Sequence, residues 1–316
     1  MKIFNRNNIL GAFIVILIYI LGQVLINAGI LDSYIFLNIV VIGINIILAV
    51  SLNLITGFTG QFSLGHAAFM AIGAYVSAVA TMNFGLPFAV ALILGAVSAA
   101  LAGIVIGIPT LRLKGDYLAI ATLGFGEIVR IIILNNEYIG GASGLNDIPQ
   151  STNWTWLYFM TAATVILIKN FISSKGGRAC IAIGQDEIAS ESMGINTTFY
   201  KVLAFAIGAF FAGIGGALYS GYFFFIKPEA FGFMKSIDIL VILVFGGMGS
   251  IEGSIAGAIV LSLISLALQD IPELRMVIYS VILFLIMVYR PQGLMGNYKI
   301  KLFKKGGLEN VSFKSK

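Results

Sequence analysis

Hydrophobic positions along this chain form long continuous runs, broken by short polar intervals. The first run follows Lys2 and Arg6 and extends over residues 9–28. A helix needs about 20 apolar residues to cross about 30 Å of hydrocarbon, because each residue advances the helix by about 1.5 Å. The runs therefore predict transmembrane helices. The first run is longer than the apolar region of a cleaved signal peptide, which predicts an uncleaved first span.

The same pattern predicts about ten spans, with eight or nine as the alternatives, because the run 236–247 is short and could be re-entrant. We expect an all-α fold, a polytopic transmembrane helix bundle that forms a single domain over 1–316. The predicted spans are 9–28, 35–56, 62–82, 87–109, 117–135, 154–171, 200–222, 236–247, 251–269 and 273–290.

Basic residues predict the orientation, since lysine and arginine favour the cytoplasmic side of a membrane. Lys2 and Arg6 precede the first predicted span, Arg112 and Lys114 follow the fourth, and the segment 296–316 is a basic tail. An even number of spans places all of these on one side, so both termini are predicted to be cytoplasmic. The predicted outer intervals are acidic or neutral: 31–33, 136–153 and 270–273.

Composition excludes an ordinary soluble protein. Charged residues make up 10% of the chain and the mean hydropathy is +1.00, whereas soluble domains carry roughly 25% charged residues. The net charge of +5 is compatible with nucleic-acid binding, but the basic tail directly follows a hydrophobic segment. That placement predicts contact with anionic membrane lipid and no nucleic-acid partner. The single cysteine, Cys180, excludes an internal disulfide and predicts an inert small residue.

Small residues recur at four-residue spacing, which predicts helices that pack at close range. Two glycine-rich segments, 57–65 and 246–254, are loosely alike and hint at an internal repeat. The predicted packing stripes are Gly95, Ala99, Gly103 and Gly107; Gly208, Ala212, Gly216 and Ser220; and Gly253 with Gly257.

Enzyme chemistry has little support in the sequence. The chain lacks G-x-x-x-x-G-K-[ST], so it cannot hold ATP phosphates in a P-loop. His66 has no companion residues for a metal site, and no serine stands beside an evident base. We expect neither a cofactor nor a metal in this chain.

Polar residues inside predicted spans are candidates for a substrate path, because they are costly in lipid. Asn38, Asn45 and Asn53 recur at intervals of seven and eight and share one helix face. The alternatives are interhelical hydrogen bonding for the asparagines, packing for His66 and a structural ion pair for Glu127 and Arg130. The candidate path residues are Asn45, Asn53, Gln61, His66, Glu127 and Arg130.

One polar stretch, "RACIAIGQDEIASESMGI" at 178–195, lies in the long predicted cytoplasmic interval 172–199. Asp186 and Glu187 suit a helix start and Gly194 suits a helix stop. Ile181 and Ile188 are seven residues apart and are expected to face the membrane domain. Glu187 and Glu191 would then lie on another face.

Five segments resemble branched-chain amino-acid ABC-transporter permeases. They are "SLNLITGFTGQFSLGHAAFMAIGAY" (51–75), "GDYLAIATLGFGEIVRIIILN" (115–135), "GGASGL" (140–145), "GRACIAIGQDEIASESMGINTTFYKVLAFAIGAFFAGIGGAL" (177–218) and "VFGGMGSIEGSIAGA" (244–258). The resemblance covers roughly 35–295. The segment beginning "GDYLAIATLGFGEI" is more similar to the LivM partner of the permease pair than to the LivH partner.

The resemblance implies the partners of this chain. They are a second, LivH-like permease, two cytoplasmic ATPase subunits that bind ATP and Mg, and an extracytoplasmic substrate-binding protein that reaches outer loops such as 136–153. It also implies that 172–199 is the loop that docks on an ATPase. The family's docking loop has a Glu-Ala-Ala…Gly pattern. In this chain Ile188 occupies the position of the glutamate, Ala189 and Ser190 occupy the positions of the two alanines, and Gly194 matches the glycine. The predicted coupling residues are Gln185, Asp186, Glu187, Ile188, Ala189, Ser190 and Gly194.

The function implied is import of leucine, isoleucine and valine across a bacterial cytoplasmic membrane. Urea or short-chain amides are the alternative cargo within the same family. A secondary carrier driven by an ion gradient is a second alternative, for which Glu127 and Asp238 are the candidate acids. A membrane-embedded enzyme is the third, and it lacks a cluster of catalytic polar residues.

Overall fold

The computed structural model describes residues 6–29, 32–110, 113 and 115–268, with short stretches at 277–278, 280–281, 284, 288–289 and 293–294. Helices dominate this part of the chain, and its β-structure is an isolated bridge between Leu145 and Ile226. The prediction of an all-α membrane bundle is confirmed.

Eleven α-helices lie within the described ranges. A π-helix, Leu54–Phe58, continues α2, and short 3-10 turns form at Glu137–Ile139, Gly141–Ser143 and Pro228–Phe231. The helices are α1 (Arg6–Asn27), α2 (Ser33–Asn53), α3 (His66–Met82), α4 (Phe88–Thr110), α5 (Asp116–Leu134), α6 (Trp154–Ser173), α7 (Lys175–Gln185), α8 (Glu187–Ser192), α9 (Thr197–Tyr222), α10 (Phe233–Gly246) and α11 (Ile251–Ala267).

Five of these helices are long and apolar enough to cross a membrane, namely α2 with its π-helical extension, α4, α5, α6 and α9. The segment Pro228–Gly246 and α11 meet that test together and are bent by 119° at the break between them. The two predicted spans 236–247 and 251–269 thus form one bent pair, a broken span or re-entrant loop. Most of the predicted span 273–290, the N-terminal residues 1–5 and the tail 296–316 lie outside the described residues. The count of ten and the sides of the termini stay predictions.

Helix α9 lies at the centre of the bundle, with α2, α3 and α4 packed around it. Three glycines set how closely these helices approach. A Cβ on Gly73 of α3 would overlap the backbone of Gly213 in α9, and a Cβ on Gly95 of α4 would lie 2.7 Å from the Gly73 carbonyl oxygen. A Cβ on Gly213 would lie 2.7 Å from the Ala99 Cβ. The close packing predicted for the α4 and α9 stripes is confirmed.

The two similar glycine-rich segments meet in space. A Cβ on Gly57 would lie 2.5 Å from the Gly249 backbone nitrogen. Gly247 and Gly249 have φ values of 113° and 77°, a region that side chains with a Cβ rarely adopt, so the sharp turn between α10 and α11 depends on them. The contact is compatible with an internal repeat, which stays a prediction.

Candidate functional site

The polar stretch at 178–195 folds as two short helices, α7 and α8, separated at Asp186. Asp186 has an extended backbone (φ −155°, ψ 111°), and its Oδ1 accepts a hydrogen bond from the Ala189 N–H at 3.0 Å. This cap satisfies a donor that the first turn leaves free, and the acidic side chain suits the helix dipole. Gly194 follows α8 with φ 82°. The predicted helix start and stop are confirmed.

The prediction that Ile188 faces the membrane domain is wrong. Ile188 is 71% exposed, whereas Ile181 on α7 is half-buried. A spacing of seven aligns two side chains only within a continuous helix, and the extended Asp186 breaks the helix between them. Ser190 is the buried residue of α8, and Glu187 turns inward. The outer surface of the segment is formed by Gln185, Ile188, Ala189 and Met193, which are all exposed.

Helix α7 packs tightly against the end of the π-helix that continues α2 and against the residues that follow it. A Cβ on Gly184 would lie 2.6 Å from the Phe58 carbonyl oxygen, and one on Gly60 would lie 3.1 Å from the Gly184 Cα. Ile183 and Cys180 are buried against the bundle. The segment is therefore held to the bundle over several positions rather than lying loosely on it.

Cys180 is expected to resist alkylation by maleimide at pH 7.5. Burial raises the pKa of its thiol to about 11, and the thiolate is the reactive form. Because the raised pKa favours the protonated thiol, labelling should increase only as the pH approaches that value. The measurement is a mass shift of the folded protein after treatment with N-ethylmaleimide. A variant combining Cys180→Ser with Ser192→Cys carries an exposed thiol instead and should label within minutes. Equal labelling of both proteins at pH 7.5 would contradict the buried position.

The buried asparagines of α2 bind the bent pair α10–α11. Asn45 Nδ2 donates to Ser262 Oγ at 3.0 Å. Asn53 Nδ2 donates to the Ser250 carbonyl and to Ser254 Oγ, both at 2.8 Å, and its Oδ1 accepts from the Gly249 N–H at 2.9 Å. Both residues therefore make interhelical hydrogen bonds, which is one of the two interpretations given for the asparagine series. In Asn53 these bonds use both the amide nitrogen and the amide oxygen.

Replacing Asn53 by leucine is expected to lower the stability of the bundle by about 1–3 kcal/mol, because the buried Ser254 hydroxyl loses its donor and the Gly249 N–H loses its acceptor. The measurement is the midpoint of thermal unfolding in detergent. Asn38→Leu is the matched control, since Asn38 is partly exposed and donates only along its own helix, to the Tyr34 carbonyl. An equal shift for both variants would contradict the structural role of Asn53.

Gln61 lies in the loop 59–65, between the π-helix that continues α2 and α3, and His66 is the first residue of α3. Gln61 Nε2 donates to the Lys201 carbonyl at 3.4 Å, and His66 Nε2 lies 2.8 Å from Ser51 Oγ. Gln61 Oε1 and His66 Nδ1 are buried without a hydrogen-bond partner.

Glu127 and Arg130 form the predicted ion pair on α5, with 2.7 Å between Oε2 and Nε, and both side chains are about one-third exposed. Arg130 also approaches the start of α10, since a Cβ on Gly232 would lie 3.6 Å from its Cδ. Lys235, one turn along α10, donates from Nζ to Asn45 Oδ1 at 3.3 Å. Lys235 was not among the residues predicted from the sequence, although a cation in the apolar run "FMKSIDIL" is a recognisable signal.

The first turn of α10 thus lies beside or next to candidate substrate-path residues of three other helices. Asn45 of α2 accepts a hydrogen bond from Lys235. In α3, Ala67 follows His66 and donates its N–H to Ser236 Oγ at 3.2 Å. Arg130 of α5 lies beside Gly232. Gly232 supplies no side-chain cap to α10. Gln61 and Asn53 make their contacts elsewhere, towards α9 and the α10–α11 turn.

Comparison with known proteins decides the family. The family model described as "Branched-chain amino acid transport system / permease component" matches residues 34–287. This chain belongs to the branched-chain amino acid transport permease family. The high-affinity branched-chain amino acid transport system permease protein LivM of Salmonella typhimurium is 38% identical to it over 84% of this chain and 70% of its own length. LivM of Escherichia coli gives the same values.

Within the branched-chain permease family this chain is LivM-like. The LivH permease of Salmonella typhimurium is 28% identical, over 57% of this chain and 59% of its own length, so both similarity and coverage favour LivM. No solved structure matches the chain. Among the residues that the structure describes, no group of three His, Cys, Asp or Glu side chains is placed to hold a metal ion.

Proposed function

We propose that this chain is a permease subunit of an ATP-driven importer and that, with a second LivH-like permease, it forms the path for branched-chain amino acids. The observation that carries the proposal is the family match over 34–287, together with 38% identity to LivM. Two cytoplasmic ATPase subunits would supply ATP hydrolysis, an extracytoplasmic binding protein would deliver the amino acid, and the complex would lie in a bacterial cytoplasmic membrane.

The substrate path is proposed to pass the first turn of α10. An amino acid carries a carboxylate and an ammonium group, and both need opposite charges or hydrogen bonds when they leave water. Arg130 and Lys235 offer cations for the carboxylate, while Glu127 and the Asn45 amide offer oxygen atoms for the ammonium group. Urea and simple amides are neutral and would gain less from these charges, which favours a zwitterionic substrate.

The exposed surface of α8 is proposed to dock on an ATPase. Ile188 and Met193, 71% and 83% exposed, are the large apolar residues of this surface. Closing of the ATPases on ATP would displace α8, and the bundle would switch the path between outward and inward access. The rigid attachment of α7 to Phe58 and Gly60 suits a segment that must transmit force.

Transport in proteoliposomes tests the proposal. The complete complex, with its binding protein, is expected to accumulate labelled leucine, isoleucine and valine only when ATP is enclosed on the ATPase side. Uptake of urea or acetamide instead of leucine would show that the cargo is an amide and would overturn the proposal of branched-chain amino acids. Uptake driven by a proton or sodium gradient without ATP would overturn the importer in favour of a secondary carrier.

A further inference from the structure

An ion pair attaches α8 to the N-terminal part of α9. Glu187 Oε1 lies 2.6 Å from Lys201 Nζ. The Lys201 side chain is only 9% exposed, and that of Glu187 is 28% exposed. A lysine this deeply buried is stable as a cation only while a partner neutralises it, because removing one member of such a pair leaves an uncompensated charge. Glu187 and Lys201 are therefore expected to move together.

Lys201 is also bonded to the loop that joins α2 to α3. Its carbonyl oxygen accepts a hydrogen bond from Gln61 Nε2 at 3.4 Å. Gln61 is 2% exposed and is fixed in turn by its own backbone, which donates to the Ile55 carbonyl at 3.0 Å and accepts from Thr56 Oγ1 at 3.1 Å. Lys201 thus contacts α8 through its side chain and the loop 59–65 through its carbonyl oxygen.

The contacts continue from the loop to α10. His66, at the end of the loop, is fully buried and lies 2.8 Å from Ser51 Oγ through its Nε2. The next residue, Ala67, donates its N–H to Ser236 Oγ in the first turn of α10. A continuous series of contacts therefore runs from the exposed surface of α8 to the place proposed for the substrate.

We propose that Lys201 is a positioning residue, which transmits displacement of α8 through Gln61 and the loop 59–65 to the start of α3 and the first turn of α10. This inference rests on the proposed function, because an ATPase must pull on α8. Coupling through this series of contacts requires that a change in the Glu187–Lys201 ion pair also changes the loop 59–65. Variants of Glu187 and Lys201 test this requirement.

The first measurement is leucine transported per ATP hydrolysed by the reconstituted complex. Glu187→Gln and Lys201→Met are expected to lower this ratio roughly tenfold, the size of a coupling term common for contacting residues. The charge-reversed double variant Glu187→Lys, Lys201→Glu is expected to regain most of it. Glu191→Gln is the matched control, since it removes the same charge from an exposed position of α8. Wild-type ratios in both single variants would overturn the proposal.

The second measurement, hydrogen exchange of the same complexes without substrate, does not depend on the cargo. Amides of 61–67 are expected to exchange faster in Glu187→Gln than in Glu191→Gln, and the charge-reversed double variant should restore protection. Unchanged exchange in 61–67 would overturn the role of Lys201 even if Lys201→Met fails to fold. Failure of the wild-type complex to transport any branched-chain amino acid would instead overturn the proposed function, while the exchange comparison still decides the fate of the ion pair.

Discussion

Replacing Gly73 by leucine is expected to prevent assembly of the helix bundle. A Cβ at this position would overlap the Gly213 backbone of α9, and the Gly73 carbonyl is itself in close contact with Gly95 of α4. Backbone atoms of two helices cannot rotate away as a flexible side chain can, so the helices would have to separate. We expect a loss of more than about 3 kcal/mol, above the usual cost of overpacking. The measurement is the yield of monodisperse protein after detergent extraction, with the thermal midpoint of any remaining fraction.

Gly124→Leu is the control for this result. Gly124 lies on α5, and nothing in the described structure comes within 4 Å of a Cβ placed there. The same substitution should therefore leave yield and thermal midpoint close to those of the wild type. Comparable losses for both variants would indicate a general intolerance of leucine in these helices and would contradict the backbone contact between α3 and α9.

Replacing Ala189 by arginine is expected to uncouple ATP hydrolysis from transport while the chain still folds. Ala189 is exposed on α8, so a long side chain meets no obstacle within the subunit. On the proposed docking surface it would place a charge beside Ile188, where an ATPase has to fit. We expect transport to fall by at least about tenfold, which corresponds to about 1.4 kcal/mol of lost interaction. The measurement combines leucine uptake with ATPase stimulation by the binding protein.

Two variants sharpen that experiment. Ser190→Pro should have the same effect, because the Ser190 N–H donates to the Asp186 carbonyl at 3.1 Å and proline has no N–H. Ser173→Arg adds the same charge at an exposed position at the end of α6 and should leave transport unchanged. Wild-type ATPase stimulation in an Ala189→Arg complex would contradict the docking role of α8.

Local signals in the sequence predicted the local structure of α8 well. Asp186 as a cap and Gly194 as a stop are determined by side-chain chemistry and backbone freedom within a few residues. The orientation of Ile188 was predicted wrongly, because it depended on one continuous helix through Asp186. The partner of Glu187 could not be predicted either, since Lys201 is fourteen residues away and meets it only when α8 folds back on α9.

For the candidate path, too, the sequence predicted local features but not the contacts between distant residues. The Glu127–Arg130 pair follows from a spacing of three on one helix. Polar residues in apolar runs identified Asn45 and Asn53, but their roles depend on what they face. Asn53 has its whole amide engaged with the turn after α10, whereas Asn45 lies beside Lys235. No periodicity connects α2 to residues about 200 positions later in the chain.

The sequence by itself determined the class of protein, the positions of the apolar helices, the glycine stripes and the polar segment on which coupling is proposed. These properties depend on composition and on spacing within one helix, where each residue's burial and backbone preference act locally. Tertiary structure alone decided that Gly57 meets Gly249, that α10 and α11 form one bent pair, and that Lys201 lies between Glu187 and Gln61. The physical reason is that apolar helices offer lipid and one another similar surfaces, so small residues and a few buried hydrogen bonds select the neighbours.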